Sequence, residues 1–237
     1  MNAPLDFSKL TLSLACILSA YLTKLAWTPP NPVVKGSLVP SLKYSHKTLV
    51  RLWRLFLLLR YTDITCGVFH SILILFFPSP SKRICPNAHN LAPSLFTWSM
   101  YSTFCLSTII VFCSIRLLAF KELGEDFTFH LSKPKRLNTS GLYSMIQHPS
   151  YTGFILSKAA NIMFLYRFDG IFACFLSGWI ARQAWWANWV LFFGMAMISA
   201  CGTMIRVKNE EEMLRQEFGR EWEEWHAKTK RFIPGVF

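Results

Sequence analysis

Charged residues are scarce in this chain and are placed unevenly. They make up 16% of its 237 residues, whereas about a quarter is usual in a soluble domain. Three stretches, 64–81, 84–115 and 183–205, contain no Asp, Glu, Lys or Arg. Uncharged apolar runs of about 18 or more residues are typical of helices that cross the hydrocarbon core of a bilayer. The pattern excludes an ordinary soluble domain and predicts a polytopic helical membrane protein.

The sequence also lacks the motifs of metal and nucleic-acid sites. Its seven cysteines include no CxxC pair, and its six histidines include no HExxH. Because most cysteines lie in apolar runs, we expect them to be small packed residues rather than disulfides or metal ligands. The net charge of +12 suits basic flanks that face the cytosol and anionic lipid. We therefore expect membrane lipid as a partner, no metal and no nucleic acid.

Prolines and charged residues divide the chain into an all-α arrangement of about five transmembrane helices. We predict helices at about 8–27, 55–77 and 93–120, and two further apolar stretches at 151–180 and 185–205. Arg167, Asp169 and Gly170 interrupt the stretch 151–180, so we expect it to be broken or partly re-entrant. The first helix is interpreted as retained rather than as a cleaved signal peptide. The predicted division is 1–120 for N-terminal transmembrane helices and 121–237 for the part that carries a site.

The charge of the loops predicts the orientation of the chain. The connection 28–54 contains no acidic residue and five basic ones, Lys35, Lys43, Lys47, Arg51 and Arg54. Such a short basic connection is expected on the cytosolic side. Five crossings then place the polar segments 121–149 and 206–237 on that same side. A site built from both segments is expected at the cytosolic face.

The polar C-terminal segment is predicted to form an amphipathic helix. Its apolar residues recur at helical spacing: Val207, Leu214, Phe218, Trp222 and Trp225. Seven of the chain's thirteen acidic residues lie between 206 and 228, and most of them are expected on a solvated face. Arg206 and Glu210 stand at positions i and i+4 where the last apolar run ends. This arrangement suits either a helix ion pair, which spacing alone favours, or a site for a charged substrate.

Three local sequences carry a resemblance to a known family. The first is G-L-Y-S-M-I-Q-H-P-S-Y-T-G over 141–153, in which Pro149 keeps His148 out of helical geometry. The second is R-V-K-N-E-E-E-M-L over 206–214, followed by F-G-R-E-W over 218–222, and the third is R-F-I-P over 231–234. Together with L-G-E-D-F-T-F-H over 123–130, these motifs resemble those of the isoprenylcysteine carboxyl methyltransferase family. The resemblance covers 123–237, about half of the chain.

The resemblance implies an enzyme that uses S-adenosylmethionine to methylate the carboxyl group of the C-terminal prenylated cysteine of proteins. It implies a location in the endoplasmic reticulum membrane, with 121–237 as the methyltransferase core and the site facing the cytosol. Arg206 is implied to bind the substrate carboxylate, and Arg206 and Glu210 to be catalytic. The implied cofactor contacts are Lys135, Arg136, Leu137, Asn138, Tyr143, His148, Pro149, Ser150, Tyr151 and Glu210. The family has an arginine where this chain has Gln147 and prefers a histidine at Lys135.

Two other functions stay open from the sequence. A membrane methyltransferase of a phospholipid amine or another small lipid would share the cofactor site. A cation at Arg206 favours a carboxylate over an amine as the acceptor. The second alternative is a catalytically inactive family member, because Gln147 cannot supply the charge of the arginine it replaces. Cofactor binding and the identity of the methylated acceptor distinguish the three.

Overall fold

The computed structural model describes residues 6–31, 46–129, 132–183 and 185–235. The helices in this part follow one another in the order α1 (Phe7–Ala26), α2 (His46–Phe76), α3 (Pro93–Phe96), α4 (Met100–Leu123), α5 (Pro149–Leu165), α6 (Gly178–Gln183), α7 (Trp185–Phe218) and α8 (Arg220–Lys228). Within these described ranges, three spans are long and apolar enough to cross a membrane: Phe7–Ala26, Met100–Asp126 and Trp186–Phe218. The apolar part of α2 and the 17-residue α5 run beside them. The predicted all-α polytopic membrane fold is confirmed, whereas the division at residue 120 stays a prediction.

Two helices begin at places other than those predicted. The helix expected from about residue 55 starts at His46, so part of the predicted basic loop is helical; Lys35 and Lys43 lie outside the described residues. The helix expected at 93–120 is divided into α3 and α4. The division occurs because Ser99 caps α4: its hydroxyl accepts from the Ser102 amide at 3.0 Å, and the Ser102 hydroxyl accepts from the Ser99 amide at 2.9 Å.

The last apolar run and the start of the polar C-terminal segment form one helix, α7. It continues through Arg206 and Glu210 as far as Phe218, and Gly219, with a φ of 50°, separates it from α8. The predicted amphipathic segment is therefore helical but is divided between the end of α7 and the separate helix α8. At a rise of about 1.5 Å per residue, α7 is about 51 Å long. It is longer than a bilayer core of about 30 Å, so its last turns carry polar residues beyond the membrane.

The apolar stretch 151–180 is broken, as predicted. Helix α5 ends at Leu165, and a 3-10 turn at Ile171–Cys174 follows before α6 begins. Arg167 and Asp169 form an ion pair between these elements. The carbonyl of Asp169 accepts from the Ala92 amide at 2.9 Å, which ties the break to the connection between α2 and α4.

Cys85 and Cys174 form a disulfide, so the expectation that the cysteines are packed apolar residues is wrong for this pair. The two are separated by 89 residues and belong to different connections, which is why no local spacing indicated the bond. The Asn87 amide also donates to the Cys174 carbonyl at 3.2 Å. We call this end of the bundle the disulfide end. Cys16, Cys105 and Cys113 are free and buried, as expected.

A buried ion pair joins α2 to α5. Lys158 donates to both carboxylate oxygens of Asp63, at 3.1 and 3.0 Å, and the two residues are 2% and 1% exposed. The hydroxyl of Tyr166 donates to the same carboxylate. Removal of one partner would leave an uncompensated charge inside the bundle. The pair therefore fixes α5 against α2.

Helices α4 and α5 approach each other closely at Gly153. A Cβ atom at this position would lie 2.6 Å from the Phe112 carbonyl oxygen. The close approach brings Arg116 to the start of α5, where its Nη1 donates to the carbonyl and the hydroxyl of Ser150, both at 2.8 Å. Its Nε donates to the Ala26 carbonyl at 2.7 Å. Arg116 thus connects α4 to the ends of α1 and α5, at the end of the bundle opposite the disulfide.

Substitution Gly153→Ala is expected to destabilise the protein by about 1–3 kcal/mol, because the added methyl group overpacks this contact. Thermal unfolding of the purified protein in detergent measures the effect. Gly194→Ala in α7 is the matched control, since a Cβ there meets no atom within 4 Å. Equal melting temperatures for the two variants would contradict the close packing of α4 on α5.

Candidate active site

The segment before α5 and the segment after α8 are hydrogen-bonded to each other. The amide of Gln147 donates to the Lys230 carbonyl at 2.8 Å, and the amide of His148 donates to the Arg231 carbonyl at 2.9 Å. Further along, the hydroxyl of Thr152 donates to the Phe232 carbonyl at 2.9 Å. These bonds bring the first and third motifs together at the end of α7, where the second motif lies.

The hydroxyl of Tyr151 lies between Arg206 and Glu210. It donates to Oε2 of Glu210 at 2.7 Å and accepts from Nε of Arg206 at 3.2 Å. The direct ion pair that spacing favours is wrong: among the described residues the two charges are joined through Tyr151 rather than to each other. The terminal nitrogens of Arg206 make no hydrogen bond within that part of the chain. Both charged groups therefore keep bonding capacity for a ligand.

Tyr143 is buried in the 3-10 turn Gly141–Ser144. Burial, with the nearby charges of Glu210 and Glu122, raises the pKa of Tyr143 far above its usual range. Its hydroxyl therefore stays protonated and can donate a hydrogen bond. The turn is held by Glu122, whose Oε2 accepts from the Leu142 amide at 2.9 Å.

His148 faces a second carboxylate, that of Glu211. Its Nε2 lies 3.3 Å from Oε1 of Glu211. The same carboxylate accepts from Nε and Nη2 of Arg231, both at 2.8 Å. Glu211 is 8% exposed, so it is an exception to the solvated face expected for most of these glutamates. Glu211 lies in the second motif and Arg231 in the third, so the sequence pointed to both residues without indicating that they pair.

The other predicted cofactor contacts lie in two places. Pro149 and Ser150 begin α5 and are buried, and the Ser150 hydroxyl is occupied by Arg116. Lys135 and Arg136 are exposed, and Lys135 lies 3.2 Å from the exposed carboxylate of Glu125. Leu137 and Asn138 are half-buried, and Asn138 donates to the Glu122 carbonyl at 3.1 Å. The cofactor roles of all these residues stay predictions.

Gln147, which occupies the position of the family arginine, is fastened to the end of α8. Its Nε2 donates to the carbonyl and the hydroxyl of Thr229, at 3.1 and 3.0 Å. Its Oε1 lies 2.9 Å from Nδ1 of His226. Burial lowers the pKa of His226, so the neutral ring can donate from Nδ1. The side chain of Gln147 therefore holds the C-terminal segment in place, which the sequence did not indicate.

Membrane-spanning helices define the chain as a polytopic membrane protein, and the polar cluster at one end of the bundle is its candidate ligand site. The sequence model of the isoprenylcysteine carboxyl methyltransferase (ICMT) family matches residues 105–183. The matched stretch includes Tyr143 and 148–151 but ends before Arg206. The resemblance to this family predicted from the motifs is confirmed by the match and by the relatives described next.

The chain is similar to several curated proteins. It is 28% identical over 152 residues to protein-S-isoprenylcysteine O-methyltransferase of Dictyostelium discoideum, which covers 61% of this chain and 53% of that protein. It is 29% identical over 150 residues to a probable protein-S-isoprenylcysteine O-methyltransferase of Oryza sativa subsp. indica, over 62% of this chain and 68% of that protein. It matches about half of the length of the first relative and about two thirds of the second.

Substitution Gln147→Ala is expected to lower the free energy of unfolding by about 1–3 kcal/mol, because it removes the donor to the carbonyl of buried Thr229, directly after α8. Thermal unfolding in detergent measures the change. Gln216→Ala is the matched control, since Gln216 is exposed and bonds to exposed Glu212. If Gln147→Ala and the control have the same melting temperature, the bonds between Gln147 and the end of α8 contribute nothing to stability.

Proposed function

We propose that this protein transfers a methyl group from S-adenosylmethionine to the carboxylate of a C-terminal prenylated cysteine. The observation that carries the proposal is the hydroxyl of Tyr151, which joins the cation of Arg206 to the anion of Glu210. A cation and an anion held side by side suit two ligands of opposite local charge. One ligand is the ammonium group of the methyl donor, and the other is the carboxylate of the acceptor.

The residues present fit S-adenosylmethionine. The carboxylate of Glu210 accepts one hydrogen bond from Tyr151 and has further lone pairs for an ammonium group. The protonated hydroxyl of Tyr143 can donate, and the turn 148–151 lies against the same cluster. When bound, S-adenosylmethionine supplies the methyl group from its sulfonium centre. We assign Tyr143, His148 and Glu210 to hold it, with Pro149, Ser150 and Tyr151 shaping the turn and 135–138 lying on the exposed side.

The acceptor needs orientation rather than deprotonation. A terminal carboxyl group has a pKa of about 3.5 and is therefore ionised at neutral pH. Arg206 can hold such a carboxylate with its planar fork, and Tyr151 fixes the Nε side of that fork. The protein's contribution is then to remove water from the carboxylate and to align one oxygen with the methyl group. In this scheme no side chain acts as a nucleophile or as a general base.

A lipid-anchored acceptor is supported by the surface of α7 that precedes the site. Apolar side chains more than half exposed occur along this helix: Trp186, Trp189, Val190, Phe193, Met197 and Ile198. Such a surface suits contact with lipid. A prenyl group dissolved in the membrane would therefore lie beside the helix that presents Arg206. The proposed partners are membrane lipid and the prenylated C-terminus.

The disulfide supports the proposed orientation and location. Disulfides persist in oxidising compartments such as the lumen of the endoplasmic reticulum. Cys85 and Cys174 lie at the end of the bundle opposite Tyr151. We therefore place the disulfide end in the lumen and the site at the cytosolic face of the endoplasmic reticulum membrane.

Substitution Arg206→Ala is expected to reduce methylation of N-acetyl-S-farnesylcysteine at least about a hundredfold, because an unpositioned carboxylate loses its alignment. Membranes containing the protein are incubated with S-adenosylmethionine labelled in the methyl group, and the base-labile volatile label is counted. Arg215→Ala is the matched control, since Arg215 lies on the same helix but is exposed and paired with Glu223. If the label instead resists base and is found on lipid amines, the prenylcysteine acceptor is ruled out and the acceptor is a phospholipid amine.

The orientation predicts the accessibility of two exposed positions. In sealed microsomes with the cytosolic face outward, Ser140→Cys should react with a membrane-impermeant maleimide. Lys82→Cys, beside the disulfide end, should react after the membrane is permeabilised. The unsubstituted protein measures the background from the native thiols. If Lys82→Cys were labelled in sealed vesicles, the disulfide end would face the cytosol and the proposed orientation would be wrong.

A further inference from the structure

Glu211 is the most enclosed carboxylate of the candidate site. Its side chain is 10% exposed and forms a two-bond pair with the guanidinium of Arg231, whose side chain is 41% exposed. The remaining neighbour of this carboxylate is the ring of His148, with Nε2 at 3.3 Å from Oε1. Two planar donors therefore converge on one buried acceptor. The geometry is that of a carboxylate that orients a histidine while a guanidinium compensates its charge.

The carboxylate restricts which ring nitrogen of His148 carries a proton. An ionised carboxylate only accepts hydrogen bonds, so Nε2 of His148 must be the donor. In the neutral ring Nδ1 is then an acceptor. A ligand that meets Nδ1 is thus offered an acceptor in a fixed plane. Without Glu211 the ring could take the other tautomer or rotate.

Arg231 contacts His148 by a second route. Its carbonyl accepts from the His148 amide at 2.9 Å, and the preceding carbonyl, of Lys230, accepts from the Gln147 amide at 2.8 Å. The backbone bond holds the residue, and the bond through Glu211 holds the ring. One residue near the end of the chain therefore determines both the position and the orientation of His148.

We propose that Arg231 is a positioning residue for the cofactor site, acting through Glu211 to fix the ring of His148. The inference rests on the proposed function, because it assigns His148 a contact with S-adenosylmethionine. The proposal gives the segment after α8, which carries Arg231, a role in cofactor binding as well as in stability. The residue touches His148 through its own carbonyl and through Glu211, and does not itself contact the reacting atoms.

The test measures binding rather than activity. Full-length protein in nanodiscs is titrated with labelled S-adenosylmethionine by equilibrium dialysis, and thermal unfolding is recorded on the same samples. Arg231→Ala is expected to weaken cofactor binding by about tenfold to a hundredfold, in line with the cost of misplacing a group that meets the ligand. Arg231→Lys should be intermediate, since an ammonium replaces the two-bond fork by a point charge. Arg215→Ala, which breaks the exposed pair with Glu223, should bind as the unsubstituted protein does.

The double variant Glu211→Arg with Arg231→Glu separates positioning from stability. It restores opposite charges and should recover the melting temperature lost in Arg231→Ala. It also places a guanidinium, which only donates, against Nε2 of His148, so cofactor binding should stay weak. Recovery of cofactor binding together with stability would overturn the proposal and leave Arg231 a structural role. If the unsubstituted protein binds no S-adenosylmethionine, the proposed function itself is overturned, and this inference with it.

Discussion

The candidate site depends on the pairing of the turn before α5 with the end of the chain. The bonds from the amides of Gln147 and His148 to residues 230 and 231 hold two segments together that are more than 80 residues apart. Tyr151 lies three residues after His148, in the first turn of α5. Because the two backbone bonds hold the turn in place, the Tyr151 hydroxyl lies against Arg206 and Glu210 of α7. The amides of Gln147 and His148 lie between the 3-10 turn and α5, so their bonds go to the other segment rather than to either element. The amides of the segment before α5 and the carbonyls of the segment after α8 therefore satisfy each other.

A second requirement is that the buried charged groups of Lys158, Asp63 and Arg116 have hydrogen-bond partners inside the bundle. Lys158 and Asp63 satisfy each other, and Arg116 gives its donors to carbonyl and hydroxyl oxygens at the ends of α1 and α5. These contacts fix α4 and α5, from which the turn at 146–148 projects. At the other end the disulfide ties the connection between α2 and α4 to the break after α5. The site therefore stands on a frame held at both ends, while the middle of α7 stays open toward lipid.

The sequence predicted the fold class, the broken stretch after Tyr151 and the set of motifs, because hydropathy and proline act locally. It did not predict the disulfide, since Cys85 and Cys174 meet through tertiary packing, nor the continuous α7, since the change from apolar to polar residues resembled a boundary. In the site, helical spacing suggested a direct pair of Arg206 and Glu210, and a tyrosine from another helix lies between them instead. Buried Glu211 pairs with Arg231, 20 residues further along the chain, and no local pattern connects the two.

The central claim is that Glu210 serves the cofactor and Arg206 serves the acceptor. Steady-state kinetics with both substrates varied, for Glu210→Gln and Arg206→Lys beside the exposed control Glu212→Gln, tests it most directly. We expect a higher KM for S-adenosylmethionine in the Glu210 variant and a higher KM for the prenylcysteine in the Arg206 variant, with the control unchanged. If both variants altered the KM for the same substrate alone, the division of roles around Tyr151 would be contradicted.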